Sequence, residues 1–387
     1  MSSKEVKMLD INLIRENPKL VKENLKKKFQ NNKIKYVDDL LKKDKEWRDI
    51  KQKIDNLRHK RNIVSKEINQ LVKQKKSPKD KIREVKEIPD KIKNLEKKED
   101  SLKEKINFYL LELPNILHKS VPKGRDAKDN PIIRKWGKIK KPKFELKNHV
   151  ELLEELGLAD FDAGRKVAGQ GFNYLIGDMA KLDHALQRYG IDFLLKKKFK
   201  LVVPPMVLNF KSFLGAANGL IDFEEVIYKI DKEDLYLNGT AEHLLINLNQ
   251  GKTLKKEDLP IRLCALTPCF RKEIGAHGVD TKGLFRMHQF NKVEQVVLCE
   301  PKDSPKFLEE MQSITEKYFQ SLKIPYRVVE ICSGDLGAKF AKQYDIEAWF
   351  PRRKEYGEIT SAATCTDYQT RALNIKYLDN GERRLHT

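Results

Sequence analysis

The feature that most constrains this chain is a run of apolar residues at coiled-coil spacing. Trp47, Ile50, Ile54, Leu57, Val64, Ile68 and Leu71 step by three and four, with Arg61 at the intervening position between Leu57 and Val64. A seam of period about 3.5 cannot lie on one face of a strand; it needs a long helix and a second helix to cover it. A second register runs through Val85, Ile88, Ile92, Leu95, Leu102, Ile106, Tyr109 and Leu113, skipping Glu99. Between the two lies KQKKSPKD, where Ser77-Pro78 marks a reversal. The simplest packing is an antiparallel helical hairpin. Pro89 falls inside the second register, where an interior proline costs about 3 kcal/mol, so a kink or a later helix start is expected there.

Such an arm buries little beyond its own seam, and its faces are wet. Residues 41–110 hold 23 Lys/Arg against 13 Asp/Glu, a one-signed excess that points to phosphate contact rather than to merely solvated faces. The whole chain repeats the bias, with 78 Lys plus Arg, 57 Asp plus Glu and a formal charge of +21. That balance suits a polyanionic partner; an anionic lipid surface or simple solubilisation are the competing readings. No apolar run reaches the roughly 18 residues of a membrane span. The opening MSSKEVKMLD has no apolar core of a secretory signal, so a cytoplasmic protein is expected. Cys264, Cys269, Cys299, Cys332 and Cys365 form no C-x-x-C pair and read as reduced, buried thiols. The histidines show no zinc spacing, and no zinc is expected.

Residues 9–31 read as a short helical segment started by Asn17-Pro18, with Leu20, Val21 and Leu25 as its apolar side. The helical part is assigned to residues 1–115. A Pro- and Lys-punctuated linker occupies 116–145, and a globular part 146–387. In that last part aromatic and β-branched runs alternate with amphipathic stretches, the longest at 175–198. Few repeats have βαβ length, so the expectation is α+β with an antiparallel sheet.

No Gly-rich phosphate loop is present, and Ala168-Gly169-Gln170-Gly171-Phe172 reads as an ordinary loop. Side chains must therefore hold any nucleotide. The best candidate is CFRKEIGAHGVDTKGLFRMHQFNKVEQ, read as a strand, a polar loop with Gly275, Gly278 and Gly283, and a return strand. Arg271 and Glu273 would alternate along the first strand; Arg286, His288, Phe290, Lys292 and Glu294 would share one face of the second. Arginines and carboxylates on one sheet face make either a surface ion-pair ladder or a polyphosphate clamp, with Phe290 as a flat surface for a base. His288 reads as a hydrogen-bonded structural residue, and Thr240 and Glu242 taken alone as a helix cap and first-turn acid.

The Phe-Arg-x-Glu and Arg-x-His-Gln-Phe elements between Pro268 and Glu294 resemble motif 2 of seryl-tRNA synthetases, which are class II aminoacyl-tRNA synthetases. The likeness extends almost from end to end. MLDINLIRENP resembles the family's start, with Met8 at the counterpart of its first residue. The basic hairpin resembles the tRNA-binding arm. The helix at 175–198 and VVPPMV resemble motif 1, with Pro204 at its characteristic proline. LNGTAEHLL resembles the serine-binding element, and KQYDIEAWFP with GEITSAATCTDYQTRA the late ATP-site block.

The resemblance implies a class II antiparallel sheet flanked by helices, and a homodimer built through motif 1. It implies a serine–tRNA ligase that makes seryl-adenylate from serine and Mg-ATP and charges tRNA(Ser). By position, Thr240, Glu242 and Glu294 would hold serine. Arg271 would meet the α-phosphate, Glu273 the adenine and Arg286 the outer phosphates, with Phe290 stacked under the base. Glu358 and Ser361 would coordinate Mg²⁺. The family continues past GERRLHT with a further strand and helix, motif 3, so the resemblance also implies a C-terminally incomplete catalytic domain. An incomplete sequence, a second polypeptide, or a shortened non-catalytic tRNA-binding relative would each account for that.

Overall fold

A computed structural model of the chain describes residues 8–140, 142–217, 226–273 and 283–387. They divide into two compact units. One runs to Lys26 and resumes over Gln30–Leu113; the other holds Lys27–Phe29 and Pro114–Thr387.

In the first unit, α1 (Ile11–Glu16) and α2 (Pro18–Lys27) lead to α3 (Ile34–Lys73), α4 (Lys79–Lys86) and α5 (Ile88–Glu112). At 1.5 Å per residue, the 40 residues of α3 span about 60 Å. Both heptad registers are borne out: Ile54, Ile88 and Ile92 close into one buried cluster, flanked by Ile50, Leu57, Val85 and Leu95. The reversal falls in 74–78, where Lys75 takes φ 56°. Pro89 does mark a later helix start, for it sits in the first turn of α5, where no backbone N–H is required. Asn17 caps α2 through Leu20 N at 3.1 Å. Val21 and Leu25 are fully buried, but Leu20 points outward, 36% exposed. Its place in the apolar side is corrected: Val21 and Leu25, four apart, define the face, and Leu20 lies about 100° off it.

In the second unit the strands of the two sheets that frame the site are β1 (Ile132–Trp136), β2 (Lys200–Leu201), β3 (Ile261–Phe270), β4 (Gln289–Leu298), β5 (Tyr326–Glu330), β6 (Lys342–Phe350) and β7 (Glu355–Thr364), with shorter strands elsewhere in the unit. β1, β5, β6 and β7 form one antiparallel sheet in that order, and β2, β3 and β4 another in which β3 and β4 are antiparallel. β1 lies within the span read as a linker. Its five residues are all exposed and do not alternate, so no strand period marked it. The core under β3 and β4 is built from Leu263, Ala265, Val296 and Leu298 against the helix Ala241–Asn247 and Ile375. The amphipathic stretch at 175–198 is a helix over Asp178–Leu195. All five cysteines are buried and free.

The hairpin differs from the sequence reading at its tip. β3 stops at Phe270 and β4 starts only at Gln289; Arg271 N still donates to His288 O at 2.9 Å, and Glu273 and Arg286 lie beyond the ladder. Glu273 takes φ 46°, which ends any strand alternation there. Gly275 and Gly278 fall outside the described residues.

Candidate active site

β4 sets the floor of the site. Phe290, Lys292 and Glu294 are spaced by two, so all three leave the same face of the strand. Beside them the helix Ala241–Asn247 begins at Thr240, an extended cap residue whose hydroxyl accepts from Glu242 N at 3.3 Å. The same hydroxyl donates to Glu294 Oε2 at 2.7 Å and accepts from Lys292 Nζ at 3.1 Å; Lys292 also pairs with Glu294 at 2.8 Å. Thr240 is thus a helix cap and a member of the network at once. Burial works against the Lys292 ammonium, but Glu294 outweighs it and raises its pKa.

Glu242 faces a second cation. Its Oε1 accepts from Lys339 Nζ and from Gln369 Nε2, each at 2.7 Å. Burial alone would push this carboxyl up; Lys339, then His243 and the two hydrogen bonds, outweigh it and bring it to about 2. The neighbouring imidazole of His243 is driven down to about 3 by burial and by Lys339.

Next along the cleft, the Arg271 guanidinium carbon lies 5.4 Å from the Phe290 ring centre, and its Nε donates to Gly239 O at 3.1 Å. A cavity of about 470 Å³ opens there, lined by Arg271, Phe290, Lys292, Glu294, Glu358 and Ser361 together with the helices Asp178–Leu195 and Ser304–Ser321. The remaining two candidates meet each other instead: Arg286 Nε donates to Glu273 Oε2 at 2.6 Å. His288 is hydrogen-bonded, as expected: its Nδ1 lies 2.7 Å from the Tyr228 hydroxyl and its ring stacks on Phe172. The Gly169–Gly171 loop supports it. A Cβ on Gly171, which takes φ 83°, would collide with the His288 ring.

Glu358 stands opposite Glu347, and Ser361 opposite Asp345, across β6 and β7. Burial raises the Glu358 carboxyl, with Arg271 opposing and Glu347 and Asp335 adding to the rise. Burial, then Glu358, pushes Asp345 up to about 7. Crowded carboxylates beside a hydroxyl suit a hard divalent cation. Among the described residues, no three His, Cys, Asp or Glu side chains are grouped as a metal site.

A cap threonine tied to a carboxylate thus stands beside an arginine that lies over an aromatic ring. Residues 8–117 match the seryl-tRNA synthetase N-terminal domain, and residues 225–387 the tRNA synthetase class II core domain (G, H, P, S and T). The serine–tRNA ligase of Methanocella arvoryzae is 47% identical over 384 residues, covering 98% of this chain and 90% of the relative. That of Pyrococcus furiosus is 46% identical, covering 98% and 88%. The chain belongs to the serine–tRNA ligase family. It is accordingly an aminoacyl-tRNA synthetase by class. The crystal structure of the family member from Pyrococcus horikoshii complexed with ATP superposes with a TM-score of 0.90 at 44% identity, over 98% of this chain and 90% of that one. The α+β architecture with a long helical arm is therefore the family's own.

Three residues of the site carry no sequence signal for their roles. Lys292 falls on the strand face that alternation predicts, but no motif gives it a task. Lys339 and Gln369 carry no local motif; only the fold brings them to Glu242.

Proposed function

We propose that this chain activates serine with ATP and transfers it to the 3′ end of tRNA(Ser), the reaction its relatives are named for. The observation that carries the reading is the Thr240–Glu294–Lys292 network set beside the Arg271–Phe290 stack in one cleft. Glu242, held ionised, accepts hydrogen bonds from the serine ammonium. Thr240 joins it there, and Glu294 accepts from the amine or the hydroxyl. A serine carboxylate oxygen attacks the α-phosphorus, and the bond to the departing pyrophosphate breaks. Two anions meet in that step, so Arg271 neutralises the charge growing on the α-phosphate. Phe290 carries the adenine face, Glu273 reads the adenine edge and Arg286 holds the outer phosphates. The Glu273–Arg286 pair would then open as each takes its part of ATP.

Glu358 and Ser361 would hold Mg²⁺, which when bound supplies charge neutralisation across the phosphates. The protein adds little covalent chemistry beyond placing both substrates in line. A buried polar pocket for a hydroxyl rejects glycine and alanine, which would leave its groups unpaired; threonine must be excluded by shape, a weaker sieve. The arm's excess of Lys and Arg suits backbone contact with tRNA, read by shape rather than by base. The helix Asp178–Leu195 exposes Leu182, Leu186 and Tyr189. That apolar face supports a homodimer through this element, with Pro204 just beyond it. No described helix is long and apolar enough to cross a membrane, and a cytoplasmic location is part of the same proposal.

Serine-dependent ATP–pyrophosphate exchange tests the reading. Exchange that requires serine and Mg²⁺ is expected. Its absence, with tRNA still bound in a salt-sensitive way, would point instead to a non-catalytic tRNA-binding relative.

A further inference from the structure

The serine end of the cleft has a layer behind it that the assigned roles do not use. Lys339 lies in the loop before β6, 97 residues from Glu242 in sequence, and its side chain is only 4% exposed. Its Nζ reaches Glu242 Oε1 at 2.7 Å and Ala216 O at 3.3 Å. Gln369, fully buried, copies that pattern from another element, reaching the same Oε1 at 2.7 Å and the same Ala216 O at 2.9 Å. Gln369 is itself oriented, for its Oε1 accepts from Thr387 Oγ1 at 2.8 Å. The backbone of Lys339 is pinned as well. Asn115 Nδ2 donates to Lys339 O at 2.9 Å, and Asn115 N donates to Ala338 O at 2.8 Å. Two buried donors from separate elements thus converge on one carboxylate oxygen, and none of these bonds uses Oε2.

We infer that Lys339 and Gln369 are positioning residues for amino-acid recognition. They hold Glu242 by Oε1, ionised and in one rotamer, so that Oε2 is presented to the serine ammonium. The inference rests on the reading of Glu242 as a serine-binding group.

A carboxylate buried without a cation takes up a proton rather than stay charged. Among the described residues, the titratable and charged groups that act on Glu242 are Lys339, His243, Lys292 and Cys365. His243 is held neutral well below pH 6, and burial pushes the Cys365 thiol up to about 12. Neither changes charge between pH 6 and 8, and Lys292 is raised further above that window. Removing the Lys339 charge leaves burial to raise Glu242. Serine binding would then weaken as pH falls through the raised value, where the parent protein stays flat.

The test is serine-dependent pyrophosphate exchange on the full chain, with KM for serine and for ATP measured from pH 6 to 8. Lys339→Met should raise KM for serine about tenfold or more at pH 7.5, the usual effect of losing a charged hydrogen bond. That loss should deepen towards pH 6, with KM for ATP within about twofold of the parent. Lys339→Arg, which keeps charge and donors, should recover a flat profile. Gln369→Met removes one donor and leaves the ion pair. It should raise KM for serine about fivefold, and it carries the test if Lys339→Met does not fold by thermal melting. Equal losses for serine and ATP, or unchanged KM for serine in a folded Gln369→Met protein, would overturn the inference while the parent's exchange upholds the serine reading. A parent chain silent in exchange would overturn both.

Discussion

The arm and the cleft use the same residue types to opposite ends. Along the arm, Arg58 meets Glu96 at 2.8 Å and Lys60 meets Glu84 at 2.9 Å, but these side chains are about a third to a half exposed. Such pairs contribute roughly 0–1 kcal/mol and are screened by salt. In the cleft, Lys339 and Glu242 pair at 2.7 Å with the lysine almost wholly buried. Removing one partner of a buried pair strands a charge, at a cost of roughly 3–5 kcal/mol. The arm's ion pairs are open to solvent and individually weak; the cleft's pair depends on the position of one buried lysine.

Arg271→Ala would break the cleft side of that comparison most severely. Loss of the group proposed to neutralise the α-phosphate should lower kcat for exchange roughly 10²–10³-fold, measured with saturating serine and ATP. Shortening the arm tests the other side. Arg58 and Glu96 touch across the hairpin, so residues 59–95 can be replaced by a short glycine-rich turn. Charging of tRNA should fall by about a hundredfold or more while exchange stays within about twofold. Comparable loss of both activities would end the division of labour.

Thr240→Ala removes the hydroxyl that joins Glu294, Lys292 and Glu242 N. It should raise KM for serine about ten- to a hundredfold with less change in kcat, and equal loss in both would place Thr240 elsewhere in the mechanism. Asp345 sharpens the comparison through pH. Its carboxyl is raised from an ordinary value near 4 to about 7 by burial and by Glu358. The folded state therefore holds a proton that the unfolded state has released. The resulting stability is full below pH 4 and is lost as pH rises to 7. Asp345→Asn should flatten that fall and exceed the parent by about 2 kcal/mol at pH 8, read from urea unfolding in chelator at pH 5 and 8. Glu96→Ala, on the arm, should cost under about 0.5 kcal/mol, and less still in high salt.

Periodic features were legible and single placements were not. The two heptad registers survive whole because every third or fourth residue repeats the same instruction. Pro89 was legible because its missing N–H allows few places in a helix. The face of β4 that carries Phe290, Lys292 and Glu294 followed from alternation. Arg271 and Glu273 followed the same rule on paper, but the ladder ends at Phe270 and a positive φ at Glu273 breaks the alternation. Leu20 joined the wrong face for want of one more turn of pattern. β1 escaped notice because an exposed strand has no buried alternate residue to reveal it.

By itself the sequence determined the arm, the sheet-bearing class of the second unit and the family of the active site, since all three rest on local periods or contiguous motifs. The tertiary structure alone decided that Thr240 touches Glu294 and Lys292, that Arg271 lies over Phe290, and that Lys339 and Gln369 stand behind Glu242. The physical reason is distance along the chain. No local rule distinguishes Lys339 from the other lysines until folding buries it, and only burial turns a common surface cation into the partner of one particular carboxylate.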